Sequence, residues 1–149
     1  MPATEVYHQP DADHPDGWVE TVPDPRPLDL QKADKLAAIQ YRKGLALAGM
    51  PFSFGGADYV ITIGPQDEVD AEKTLAQLQA APAGTTVRWE IVDNVFVDMT
   101  AAGLTAMISK GETYVPAIFA NVDVLVGQVN AAADATALDA IDETSGWPV

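Results

Sequence analysis

The chain has 149 residues, enough for one domain that buries about two-thirds of its unfolded surface without a metal or a crosslink. It has no cysteine, which excludes disulfides, thiolate nucleophiles and Cys-ligated zinc together. Its 22 acids against 8 bases give a formal charge of −14, which argues against nucleic acid and against an anionic membrane surface.

Residues 1–27 stand apart from the rest. They carry six of the eleven prolines (Pro2, Pro10, Pro15, Pro23, Pro25, Pro27) and a single base, Arg26. Proline fixes φ, removes an amide donor and pushes its predecessor toward extended geometry, so the segment is expected to be an extended arm with little self-contact. Val6, Tyr7, Trp18, Val19 and Val22 have no evident local use in such an arm. With Arg26 they are the candidate residues for anchoring a partner. The opening Met1-Pro2-Ala3-Thr4-Glu5 has neither the basic nor the apolar region of a secretory signal, so synthesis in a cytoplasm is expected. No apolar run reaches the ~18 residues of a membrane span.

Leu30, Ala33, Ala37, Tyr41, Leu45 and Ala48 recur at helical spacing and predict a first helix over 28–48. Gly49 fits a left-handed terminator, and Met50-Pro51 prevents continuation. Arg26, Lys32, Lys35, Arg42 and Lys43 crowd this stretch. They form a basic face that is solvated, meets the chain's own acidic arm or meets an acidic neighbour.

Phe52 to Ile63 reads as a hairpin turning at Gly55-Gly56, and 66–80 as a second helix with Asp67, Glu68, Asp70 and Glu72 toward its positive end. A second hairpin follows, Thr86–Val92 and Val95–Met99 around Asp93-Asn94, with Val87, Trp89 and Ile91 sharing one face. Thr100 is the expected N-cap of a long helix over 101–133, kinked by Pro116 or restarted near Gly111. In it Ile108, Val115, Ile118, Val122, Leu125 and Val129 lie on a stripe of alternating three and four. Such a stripe serves a globular core or an oligomeric seam, a homo-trimer among the options. A short helix over 135–142 leads to Gly146-Trp147-Pro148. The sum is an α+β chain: a small domain over 28–149 with two β-hairpins packed on a long C-terminal helix, plus an extended N-terminal arm over 1–27.

Chemistry is harder to find. His8 and His14 are the only histidines, and both lie in the arm beside Asp11 and Asp13. Chelation on a flexible segment carries a large ordering cost, so no metal is expected. With no histidine in the domain a hydrolase triad is disfavoured, and the Gly55-Gly56 pair lacks the lysine of a phosphate loop. Trp89 and Trp147 suit core packing better than a sugar platform. No catalytic residue and no cofactor is expected.

The order of signals nonetheless resembles a known family. It runs from Phe52-x-Phe54-Gly55-Gly56, through Trp89-x-x-x-Asp93-Asn94 and Met99-Thr100-Ala101-Ala102, to Leu138-x-x-Ile141 and Gly146-Trp147-Pro148. Over roughly residues 26–148 it is similar to a domain of unknown function found in tail-fibre and tail-associated proteins of tailed bacteriophages. Pro25-Arg26-Pro27-Leu28 resembles the linker that precedes that domain. The resemblance implies a non-enzymatic virion protein of the tail, baseplate or fibre whose partners are other tail subunits. A short arm in place of a fibre shaft points to a small tail-bound protein attached through that arm. The alternatives are a tail-fibre assembly chaperone or a protein that binds or cleaves host glycan.

Overall fold

The computed structural model describes residues 4–10, 13, 15–22 and 26–149, with backbone alone for Thr4, Thr21 and Val22. In chain order the elements are β1 (Thr4–His8), β2 (Trp18–Val22), α1 (Leu28–Leu47), β3 (Met50–Phe54), β4 (Ala57–Ile61), α2 (Pro65–Ala80), β5 (Thr86–Val92), β6 (Val95–Thr100), α3 (Ala101–Ala131) and α4 (Ala135–Asp139). The strands make three separate antiparallel pairs, β1–β2, β3–β4 and β5–β6. The fold is α+β, with two hairpins on the long C-terminal helix as the sequence predicts. The chain divides into two compact units, Met1–Tyr41 with Val122–Ser145, and Arg42–Asn121 with Gly146–Val149.

In the second unit, hydrophobic alternation sets the faces. Phe52 and Ile61 are buried on β3–β4, as are Ile91 and Met99 on β5–β6. They join Leu104, Tyr114 and Ile118 of α3 and Ala71 and Leu78 of α2 in one core, against which Trp89 and Trp147 pack half-buried. The β3–β4 turn needs left-handed backbone at both central residues, and Gly55 (φ 62°) and Gly56 (φ 83°) supply it. Asn94 does so at φ 61° for β5–β6, where the Glu90 carboxylate accepts its backbone N–H at 2.7 Å. Thr100 caps α3 as expected, its hydroxyl accepting the Gly103 N–H at 3.0 Å.

One local expectation fails. Gly49 is not left-handed: Gly17, Gly55, Gly56, Gly84 and Gly146 are the described glycines at positive φ. A Cβ on Gly49 would instead lie 2.9 Å from the Leu45 carbonyl, so close approach is what demands glycine there. The end of α1 is satisfied by the rest of the unit: Ile63 N–H donates to the Leu47 carbonyl and the buried Tyr114 hydroxyl to that of Gly49. Burial raises the Tyr114 phenol above its ordinary pKa. Of the two alternatives for α3, a restart near Gly111 is not what forms. One helix runs from Ala101 to Ala131 with Pro116 inside it. Packing of Leu104, Tyr114 and Ile118 on both sides of the break offsets one lost hydrogen bond.

In the first unit Ile39, Val122, Leu125, Val129, Ala132, Leu138 and Ile141 are buried. Gln31, the one buried polar side chain among the described residues, donates to the Arg26 carbonyl at 2.7 Å. Asp134 caps α4 by accepting the Ala137 N–H at 2.8 Å.

Candidate functional site

The segment expected to be an extended arm is paired with itself. Thr4 faces Val22, Val6 faces Glu20, Tyr7 faces Val19 and His8 faces Trp18. Proline counting misled because none of the six prolines falls within either strand, so no ladder donor is lost. Gly17, at φ 75°, permits the return, and a Cβ there would lie 2.3 Å from the Tyr7 hydroxyl.

Opposed residues of a hairpin share a face. One face carries Val6, His8, Trp18 and Glu20, with the His8 ring stacked on Trp18 (centroids 4.1 Å apart, planes 7° apart) and His8 Nε2 3.0 Å from a Glu20 carboxylate oxygen. The other carries Tyr7 and Val19, exposed by 57% and 54%. Val6 is 39% exposed, so three of the six partner-binding candidates present apolar surface to solvent. Trp18 is half-buried, and the side chain of Val22 lies outside the described residues.

Arg26 does not belong with this group. Its guanidinium pairs with Asp34 at 2.6 Å, and that hydrogen bond holds the Asp34 carboxyl below its usual pKa. The remaining basic cluster is largely consumed in the same way. Lys32 donates to the Asn130 carbonyl at the C-terminal end of α3, where the helix dipole favours a cation. Lys35 pairs with Glu143 at 2.7 Å, and Lys43 sits 5.5 Å from the Phe119 ring centroid. Four of the five bases thus make contacts within the chain, and Arg42 is exposed.

The stripe on α3 also needs correction as an oligomeric seam. Ile118, Val122, Leu125 and Val129 are 0–8% exposed, so a second copy cannot use them without unpacking the chain. Only Ile108 and Val115 remain half-exposed. They line a feature that sequence reasoning missed, a cavity of about 410 Å³ in the second unit. Its walls come from β3–β4, the start of α2 and the middle of α3, and no sequence periodicity marks such a meeting.

For chemistry, among the described residues no three His, Asp or Glu side chains converge as a metal site. His14 and Asp11 lie outside the described residues. Among those residues no helix is long and apolar enough to cross a membrane.

A family model described as a domain of unknown function, DUF4376, matches residues 29–143. The chain belongs to that family. The DUF4376 match begins one residue into α1 and leaves the β1–β2 hairpin outside it. No curated protein and no solved structure matches the chain.

Proposed function

We propose that this DUF4376 protein is a non-enzymatic structural component of a bacteriophage tail, held to a neighbouring tail subunit by its N-terminal hairpin. The phage setting rests on the motif order from Phe52 to Trp147 and its resemblance to tail-associated proteins. The attachment rests on one observation: β1–β2 is a two-stranded sheet with Val6, Tyr7 and Val19 exposed. A lone hairpin is marginal in water, and an added strand or a covered face would stabilise it. The glycan-binding alternative has less to draw on, because Trp89 and Trp147 both pack against the core.

Deletion of residues 1–24 tests the attachment. Loss of the protein from purified particles, with the domain still folded, is the expected result. Incorporation at the full-length level would sink it. Mass spectrometry of particles separates a virion component from an assembly chaperone, which would be absent from them.

A further inference from the structure

We infer that the cavity of the second unit docks an apolar side chain carried on a lysine- or arginine-rich segment of a partner polypeptide. This inference does not rest on the phage reading, and the hairpin that serves that reading supplies none of the lining.

At about 410 Å³ the cavity falls in the range of occupied binding sites, roughly 300–1,000 Å³. Its lining is mainly apolar: Met50 and Ile61 come from the hairpin side, and Met107, Ile108 and Val115 from α3. Methionine is unbranched and polarisable, so two of them make a lining that adapts to the shape of an incoming group. Phe119, 48% exposed, extends the apolar surface to solvent at the margin. An open apolar groove beside a helix suits a side chain anchored on a partner segment.

Charge selects the class of segment. The charged residues of the lining are Asp67, Glu68 and Glu112, all acidic and all exposed. Asp67 and Glu68 occupy the first turn of α2, where Asp67 accepts the Gly64 N–H at 2.8 Å. The end of a helix that would attract an anion is therefore already negative. Pro116, also in the lining, brings no N–H to the Glu112 carbonyl one turn earlier, which adds a backbone acceptor to the acidic set. An apolar floor below three carboxylates matches an apolar anchor flanked by ammonium or guanidinium groups and opposes an acidic segment.

The structure supplies a plug for the test. Gly111 lines the cavity within α3, and a Cβ there would meet nothing within 4 Å. Gly111→Leu adds apolar bulk to the lining from a position where its Cβ has room, and leucine favours the helix. The experiment titrates the full chain against a fluorescein-labelled 14-residue amphipathic helix of leucine and lysine. A second titration uses the same peptide with glutamate replacing lysine. The expected result is binding of the lysine peptide at least about tenfold tighter than the glutamate one, and loss of at least about tenfold in Gly111→Leu at an unchanged or raised melting temperature. Glu112→Lys, at an exposed position, should narrow the preference between the peptides by about threefold or more whether or not the plug is tolerated. Undetectable binding of the lysine peptide overturns the inference. So does undiminished binding by folded Gly111→Leu, since attraction would then come from the net charge alone. Deleting the hairpin should leave all of these values unchanged, so failure here and failure of the tail reading are separable.

Discussion

The β1–β2 and β5–β6 hairpins obey the same pairing rules and end in opposite states. Both are two-stranded and antiparallel, β5–β6 closed by the two-residue turn Asp93-Asn94 and β1–β2 by the longer connection of residues 9–17. In β5–β6 one face is taken up by its unit, with Ile91 and Met99 at 4% and 0% exposure, while Arg88 covers Phe96 on the other at 5.0 Å. In β1–β2 Tyr7 and Val19 stay more than half exposed. Backbone pairing is thus a local property that both segments achieve. Burial of a side-chain face is what distinguishes structural stability from surface held for contact.

The largest effect should fall on β5. Ile91→Ala should cost about 3–4 kcal/mol in denaturant unfolding, because a fully packed side chain is replaced by a cavity. Trp147→Ala should cost about 3 kcal/mol, the low end for a tryptophan, because it is half-buried against the same core. A change near zero would mean that the C-terminal tryptophan belongs with the exposed surface.

Gly103→Ala probes packing from the opposite direction. Its Cβ would lie 2.5 Å from the Phe54 ring and 2.6 Å from the Met99 sulfur. Overpacking of about 1–3 kcal/mol should lower the melting temperature, in contrast to Gly111, where space is open.

The Lys35–Glu143 pair gives a smaller, pH-dependent effect. The Lys35 hydrogen bond holds the Glu143 carboxyl below its ordinary pKa. Its stabilisation is therefore present above the unfolded-state pKa and lost as pH falls through the lower native value. Glu143→Gln should cost up to about 1 kcal/mol at neutral pH and progressively less in acid, read from melting temperatures across that window.

The smallest effect should fall on the N-terminal hairpin. Val19→Ala and Tyr7→Ala should each change stability by less than about 0.5 kcal/mol. Amide exchange in β1–β2 should be far faster than in β5–β6, since a lone hairpin opens locally. Slow exchange in both would erase the contrast and remove the motive for a partner on Tyr7 and Val19.

Much of the fold was legible in the residues. The Gly55-Gly56 and Asp93-Asn94 turns, the Thr100 cap and the alternation from Val87 to Ile91 report local sterics and periodicity, and each element formed where they put it. The first hairpin escaped because a tally of prolines ignores their positions: the strands fall between them. The α3 stripe was visible as apolar, but periodicity is the same for a helix packed inside its own chain and one packed on another.

Sequence by itself determined the order of strands, turns and helices from α1 to α4, because φ restrictions, capping and side-chain period act within a few residues. It also determined the strong negative charge. Only tertiary structure decided that Lys35 is committed to Glu143, that Ile118 is core and Tyr7 is surface, and that Met50 and Met107 wall a common cavity. Those facts depend on segments far apart in the chain, and burial follows from which surfaces meet, which no local pattern encodes.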